Sequence, residues 1–139
     1  DFSLLNQDEK KIALKDFIGQ KVVLYFYPKD DTSGCTKEAC SFSDDLPKFS
    51  KIDAVILGVS PDSVKSHKKF SEKYKLKFDL LADEEKLVLE KYGVWKEKSM
   101  YGRKYMGTAR VTFLINEKGV IDEIIQKVDT KDHARQILG

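Results

Sequence analysis

Two runs of consecutive apolar residues stand out in the first half of the chain, and a proline follows each of them. Residues 21–27 (KVVLYFY) end at Pro28, and residues 54–60 (AVILGVS) end at Pro61. Neither run alternates apolar and polar positions, which is typical of strands that are covered on both faces. The two runs therefore predict buried strands at the centre of a sheet.

Two further runs lie close together near the end of the chain. Residues 110–115 (RVTFLI) and 120–126 (VIDEIIQ) are separated by the polar segment 116–119 (NEKG). Gly119 is available for the positive φ that a tight turn between strands requires. This pattern predicts a hairpin of two antiparallel strands.

Four other segments have the capping residues and apolar spacing of helices: 32–51, 63–74, 84–92 and 130–138. Thr32 and Ser63 are suitable N-caps for the first two, and Gly93 is a suitable stop for the third. Asp129 or Thr130 is a suitable cap for the last. Helices are thus expected between the strands and at the end of the chain.

The order of these elements predicts the fold class. A helix between the first two buried strands implies parallel pairing with a right-handed crossover, and the hairpin adds antiparallel strands to the same sheet. We therefore expect an α/β protein with a thioredoxin-like fold, in which a mixed central sheet carries helices on both faces. Other small α/β folds share this pattern. No repeat, linker or low-complexity stretch divides the chain, so residues 1–139 are expected to form a single domain.

The composition narrows the classes of protein and of partner. With 41% hydrophobic and 35% charged residues, the 139-residue chain is expected to be globular rather than disordered or membrane-spanning. Its 25 basic and 23 acidic residues nearly balance, so we expect neither nucleic acid nor a membrane as a partner. No signal peptide or lipidation motif is visible, and we expect a cytoplasmic protein that is a monomer or a weak dimer.

The chain has only 2 cysteines, too few for a disulfide scaffold or a four-cysteine zinc site. If Thr32 caps a helix, Cys35 occupies the third helical position, where free backbone N–H groups and the helix dipole stabilise a thiolate. The alternative is an inert, buried cysteine. Asp30 and Asp31 disfavour another negative charge nearby, so a thiolate here needs a compensating cation. Arg110, at the start of an apolar strand, is the best candidate, although a surface arginine is the alternative interpretation.

Cys40 follows Cys35 by five positions. On an ideal helix this spacing places the two residues about 140° apart around the axis, with their Cα atoms about 8.7 Å apart. Because a disulfide spans at most about 7 Å between Cα atoms, the two cysteines cannot bond while the helix is intact. Bond formation requires local unwinding, and the alternative is that Cys40 is simply a core residue.

Several stretches of the chain resemble one family of thiol enzymes. Residues 28–35 (PKDDTSGC) match the P-x-x-x-T-x-x-C motif of peroxiredoxins, and the chain is similar to the peroxiredoxin Q or bacterioferritin comigratory protein subfamily. The other similar stretches, in the same order as in the family, are 35–44, 58–62, 92–95, 101–107 and 110–115. Ser43 departs from the pattern, which often has Arg at this position. The resemblance covers nearly the whole chain.

The resemblance implies a thiol-dependent peroxidase that reduces hydrogen peroxide and organic hydroperoxides. Cys35 would be the peroxidatic cysteine, and Arg110 would polarise its thiolate and the peroxide. Thr32 would hold the peroxide, and Pro28 would shield the thiolate from water and over-oxidation. Cys40 would resolve the resulting sulfenic acid as an intramolecular disulfide, which a thioredoxin-like reductant would recycle. The resemblance implies no metal and no organic cofactor.

Two other functions stay open at the level of the sequence. One is a thioredoxin-like thiol–disulfide oxidoreductase without peroxidase activity, although such proteins have Cys-x-x-Cys at the helix start. The other is a metal-binding or structural domain that uses four residues: Cys35, Cys40, His67 and His133. Both histidines are predicted on surface helices without the spacing of metal ligands, which disfavours this function. The sequence does not decide whether four aromatic residues line the mouth of a site or fill a core: Tyr92, Trp95, Tyr101 and Tyr105.

Overall fold

A computed structural model describes residues 2–138, which form nine strands, five α-helices and one 3₁₀ helix (Leu14–Phe17). The strands are β1 (Ser3–Leu5), β2 (Lys11–Ala13), β3 (Lys21–Phe26), β4 (Ala54–Ser60), β5 (Asp79–Ala82), β6 (Trp95–Met100), β7 (Arg103–Thr108), β8 (Val111–Ile115) and β9 (Ile121–Ile125). The helices are α1 (Ser33–Asp44), α2 (Leu46–Lys51), α3 (Val64–Tyr74), α4 (Leu87–Lys91) and α5 (His133–Leu138). Within this part of the chain, no helix has both the length and the apolar character needed to cross a bilayer.

Seven strands form one mixed sheet in the order β2-β1-β5-β4-β3-β8-β9. β3 runs parallel to β4 and antiparallel to β8, and β8 and β9 form an antiparallel hairpin. Gly119 has the positive φ that was expected for the turn of this hairpin, +82°. The four predicted strands and the mixed α/β sheet are therefore confirmed, with ends that shift by one residue at most.

Alternate residues of β3 point to opposite faces of the sheet, and both faces are covered. Tyr25 lies in one core cluster and packs against Phe42 of α1, with ring centroids 4.7 Å apart. Leu24 and Phe26 lie in the cluster on the other face, which includes Leu89 of α4. Because alternate side chains enter two different buried clusters, the strand is a continuous apolar run in the sequence.

The single helix predicted over residues 32–51 is two helices, with a break at Asp45. Pro47 lies in the first turn of α2, where its missing N–H has no helical acceptor to bond. Inside one continuous helix, the same proline would remove a hydrogen bond and clash with the preceding turn. As a result, α1 is an independent segment of 12 residues.

The later helices differ in how well they match the prediction. α3 begins after its predicted cap, Ser63, whose hydroxyl accepts a hydrogen bond from the Ser66 N–H at 3.1 Å. α4 and α5 each begin three residues later than predicted. Residues 83–86 form a turn instead, and Asp129 closes a separate turn by accepting the Lys131 N–H rather than capping α5.

The sequence analysis missed β1, β2, β5 and the separate hairpin of β6 and β7. The first three are only three or four residues long, so no apolar period develops in them. The hairpin residues are mostly exposed, which removes the apolar signal altogether. Tyr101 and Gly102 make its turn, both with positive φ, as two-residue hairpin loops of this type require.

Candidate active site

The loop after β3 places Cys35 in the first turn of α1. Thr32 occupies the N-cap position with extended backbone angles, and the helix starts at Ser33, so Cys35 is the third helical residue, as predicted. The Cys35 side chain is 1% exposed and belongs to the core cluster between the sheet and α1. Its thiol is therefore shielded from bulk water but lies beside the free N–H groups of a helix start.

The Thr32 side chain does not cap the helix, contrary to the sequence prediction. No side-chain hydrogen bond closes the start of α1, and the Thr32 hydroxyl instead donates to the Lys29 carbonyl at 2.9 Å. The first-turn N–H groups are consequently left without a side-chain acceptor. Such groups, together with the positive end of the helix, favour a bound anion.

Arg110 lies directly before β8 and brings its guanidinium to Cys35. Its Nη2 donates to Cys35 Sγ at 3.3 Å, and its Nη1 donates to a carboxylate oxygen of Glu38 at 2.9 Å. Gly34 allows this approach, because a Cβ there would lie 3.2 Å from Nη2. A fixed guanidinium that bridges a thiol and a carboxylate provides a permanent positive charge at the sulfur.

Glu38 is a site residue that the sequence analysis missed. It lies three positions after Cys35 on the same face of α1 and is completely buried. Burial raises the pKa of its carboxyl from 4.5 to about 7, against the lowering effect of Arg110. Its second oxygen has no hydrogen-bond partner among residues 2–138, with His133 Nε2 at 3.7 Å. The i, i+3 spacing from Cys35 was the only sequence signal for it.

Asp30 and Asp31, which were expected to oppose a thiolate, are engaged on the side of α3. Asp30 is buried and accepts hydrogen bonds from Tyr27 Oη and from Ser66 Oγ, at 2.5 and 2.8 Å. Asp31 accepts one hydrogen bond from Lys73 and one from the Tyr74 hydroxyl, and these two bonds lower the pKa of its carboxyl. Both carboxylates are thus satisfied by partners other than Cys35.

The two histidines are buried, so their prediction as surface residues is wrong. His67 contacts Asp30 Oδ2 through Nδ1 at 2.7 Å and the Leu81 carbonyl through Nε2 at 2.9 Å. His133 Nε2 contacts the Thr112 hydroxyl at 2.7 Å. These contacts attach α3 to β5 and α5 to β8, so both histidines have a structural role.

The alternative metal site is not assembled from the predicted residues. Over the described range, one group has metal-ligand geometry, and it consists of Asp30, Asp62 and His67 without either cysteine. Asp30 and Asp62 already accept hydrogen bonds, Asp62 from the Ser60 hydroxyl and from the Asp30 N–H. These three residues therefore hold the loop before Cys35 in place through hydrogen bonds.

Cys40 lies near the end of the same continuous helix, and both cysteines are free thiols. Cys40 is half-buried, and burial followed by the charge of Asp44 raises the pKa of its thiol. The unbroken helix from Ser33 to Asp44 keeps the two cysteines on different faces, the geometry in which they cannot bond.

The structure does not bring the remaining residues that the sequence analysis singled out together at Cys35. Pro28 is half-buried in the loop between β3 and α1. Tyr92 and Trp95 pack against the core cluster on the opposite face of the sheet from Cys35. Tyr101 is 98% exposed, and Tyr105 is exposed as well, so neither fills a core.

The sequence matches one protein family over most of its length. The AhpC/TSA family pattern covers residues 1–124. A putative peroxiredoxin bcp from Coxiella burnetii is 49% identical over 138 residues, spanning 99% of this chain and 91% of the relative. Peroxiredoxin Bcp from Bacillus subtilis is 47% identical, spanning 99% of this chain and 88% of the relative.

Solved structures give the same match. A cysteine-to-serine variant of Xanthomonas campestris peroxiredoxin Q aligns with a TM-score of 0.94 at 41% identity, over 99% of this chain and 88% of that one. A structure of Xanthomonas campestris bacterioferritin comigratory protein, from work on its alkyl peroxide reduction activity, aligns with a TM-score of 0.93 at 40% identity. It also covers 99% of this chain and 88% of the other.

Proposed function

The chain belongs to the AhpC/TSA family and is a peroxiredoxin, and on that premise we propose how its residues divide the reduction of a hydroperoxide. As a thiol peroxidase with two cysteines, it transfers the oxidising equivalents of the peroxide to sulfur. Cys35 is the peroxidatic cysteine in this proposal. The observation that carries the assignment is the 3.3 Å contact of its buried Sγ with Arg110 Nη2 at the start of α1.

In the first step, the Cys35 thiolate attacks the hydroxyl oxygen of the hydroperoxide. An S–O bond forms as the O–O bond breaks, so sulfur loses two electrons and the peroxide gains them. Cys35 becomes a sulfenic acid, and the leaving oxygen takes up a proton and departs as water or an alcohol. No metal or organic group takes part in this electron balance.

Ionisation of the thiol supplies only part of the acceleration. Full ionisation of an ordinary cysteine of pKa about 8.5 raises the thiolate fraction at pH 7 about 30-fold, which corresponds to about 2 kcal/mol. Enzymes lower their barriers by about 8 kcal/mol or more. The larger part must therefore come from alignment of the peroxide and stabilisation of its leaving oxygen.

Three further residues are suited to that alignment. Arg110 is held by Glu38 and offers N–H donors at the sulfur, where the peroxide oxygens would lie. The Thr32 hydroxyl uses its hydrogen on the Lys29 carbonyl, which leaves its lone pairs to accept a hydrogen bond from the peroxide O–H. Pro28, which has no N–H and lies in the loop before α1, would shield the thiolate from water, as the resemblance to peroxiredoxins implies.

In the second step, the Cys40 thiol condenses with the sulfenic acid. The S–S bond forms as the S–O bond of Cys35 breaks, and water leaves with the Cys40 proton. Because intact α1 separates the cysteines, the helix must unwind between them first. Unwinding also removes the burial that raises the pKa of Cys40, so the resolving thiol ionises more readily when it is needed.

An external dithiol then completes the cycle by thiol–disulfide exchange. We infer a thioredoxin-like reductant, because an intramolecular disulfide on an exposed, unwound segment is open to attack by a small dithiol protein. A cytoplasmic location, a single domain and a monomeric or weakly dimeric state stay predictions from the sequence.

The test is peroxide consumption with thioredoxin and thioredoxin reductase. Cys35→Ser should abolish turnover, because it removes the attacking sulfur. Cys40→Ser should allow one oxidation per chain but should form no intramolecular disulfide. Its intact mass should therefore not show the loss of two hydrogens that disulfide formation causes in the wild type. Normal turnover by Cys40→Ser would contradict the resolving role. Insulin reduction without peroxide consumption by the wild type would instead support a simple thiol–disulfide oxidoreductase.

A further inference from the structure

Lys98 lies on the hairpin of β6 and β7 but turns toward the segment that leads to Arg110. Its Nζ donates a hydrogen bond to the carbonyl of Thr108, two residues before Arg110. Its side chain is half-buried, whereas Lys104 on the same hairpin is 78% exposed. Lys98 is therefore oriented inward on a hairpin whose residues are mostly exposed.

Gly107 makes this inward path possible. A Cβ at Gly107 would lie 3.1 Å from Cδ and 3.4 Å from Cε of Lys98, tighter than ordinary side-chain contacts. The stem of Lys98 thus crosses the backbone of β7 at a position where a larger residue would push it away. Lys96, opposite Gly107 in the register of the hairpin, is exposed and shows that the hairpin itself does not require the inward path.

The Lys98 ammonium also lies in the electrostatic environment of the site. Burial, and then the positive charge of Arg110, lower the pKa of Lys98, while Cys35 acts in the opposite direction. Interactions between charges weaken with distance and with screening. Because the Lys98 ammonium is bonded to the Thr108 carbonyl, two residues before Arg110, its positive charge lies beside the segment that carries Arg110.

The charge balance around Cys35 gives such a cation a purpose. A single guanidinium, Arg110, faces two acidic groups, Cys35 and the buried Glu38. Two other titratable groups near the site are the Tyr25 phenol from β3 and His133 from α5, and burial lowers the pKa of His133, which disfavours its charged form. With one cation shared between two acids, a second positive charge strengthens the ionised form of Cys35.

Resting on the function proposed above, we propose that Lys98 is a positioning residue of the peroxidase reaction. It holds the segment from Thr108 to Arg110 in place through the Thr108 carbonyl, and it adds a second positive charge beside the segment that brings Arg110 to Cys35. One of its three hydrogens is used by the Thr108 carbonyl, and the charge acts through space on the thiolate.

The test is made in a Cys40→Ser background, in which Cys35 is the only cysteine, by following the pH dependence of its alkylation by iodoacetamide. Lys98→Met and Lys98→Gln should move the midpoint up by about half a pH unit, equivalent to about a threefold loss of thiolate below the midpoint. Lys98→Arg should keep the wild-type midpoint because it keeps the charge. Lys104→Met, on the exposed face of the same hairpin, should also leave it unchanged.

An unchanged alkylation midpoint in Lys98→Gln, with a lowered thermal stability, would show that Lys98 has only a structural role. That result would overturn the proposal. If Lys98→Met does not fold, the comparison of Lys98→Gln with Lys98→Arg decides in the same way. The proposed function is judged separately, by oxidation of Cys35 with stoichiometric peroxide in the Cys40→Ser chain that retains Lys98. Failure of that oxidation refutes the peroxidatic role, whatever the Lys98 variants show.

Discussion

Side chains at this site each serve two partners, and this double use fixes their orientation. Arg110 divides its two terminal nitrogens between Cys35 and Glu38. Thr32 uses its hydrogen on the Lys29 carbonyl and keeps its oxygen free to accept. Because each side chain is held by a protein contact, its second contact would already be oriented when the peroxide arrives in the proposed mechanism.

Thr32 offers a test that separates catalysis from helix stability. Thr32→Val should lower kcat/KM for hydrogen peroxide about tenfold or more, because the acceptor for the peroxide O–H is lost. Thr32→Ser should retain most of the activity. The stability of both variants, measured by thermal unfolding, should stay close to wild type, since Thr32 makes no capping bond worth the usual ~1 kcal/mol. Wild-type kcat/KM in Thr32→Val would contradict the assignment.

The sequence could predict the position of Cys35 but not all of its neighbours. A strand, a proline, a loop and a capping residue come in order along the chain, so the helix start is a local property. Glu38 is buried because Arg110, 72 positions away, compensates its charge, and no local pattern encodes such a pair. His67 was misassigned for the same reason, since its partner Asp30 lies on a different element.

At the scale of elements, α1 is bounded at both ends. The break at Asp45 separates it from α2, and the loop before it is tied to α3 through Asp30 and Asp31. Opening of the segment between Cys35 and Cys40 would therefore leave the loop before α1 tied to α3. Long apolar strands and well-capped helices were predictable, whereas the short strands and the exposed hairpin carry too few apolar residues to be detected.

Hydrogen–deuterium exchange can follow that opening. Peptides covering Ser33–Asp44 should exchange at least about tenfold faster in the disulfide form than in the reduced form, because the bond requires unwinding. Peptides from α3 should not change. The Cys40→Ser chain, treated with peroxide in the same way, serves as the control and should keep α1 protected. Equal protection of α1 in the reduced and disulfide forms would show that the bond forms without unwinding.

At the scale of the whole molecule, the buried Glu38 links the site to the stability of the fold. Its pKa is about 7 in the folded chain, against an ordinary value of 4.5. Between these values the folded chain holds a proton on Glu38 that the unfolded chain has released. The stabilising contribution of Glu38 to the free energy of unfolding is therefore complete below about pH 4.5. It is lost as the pH rises toward about 7.

Glu38→Gln should remove this pH dependence. Urea unfolding of the reduced proteins at about pH 5 and about pH 7.5 should show that the wild type loses roughly 2 kcal/mol relative to the variant over this interval. Glutamine keeps an acceptor for Arg110, so the comparison isolates the charge. Parallel pH profiles for the two proteins would show that Glu38 does not titrate in this range.

In the proposed mechanism, the anchored loop and the short α1 also determine how long the Cys35 sulfenic acid waits for Cys40. A released segment of about ten residues closes in roughly 10–100 ns, so the search of Cys40 for Cys35 is brief once α1 is open. The waiting time is then set by how often the helix opens. A second peroxide that arrives during this wait converts the sulfenic acid to sulfinic acid. The lifetime of twelve helical residues thus sets the peroxide concentration at which the enzyme begins to inactivate itself.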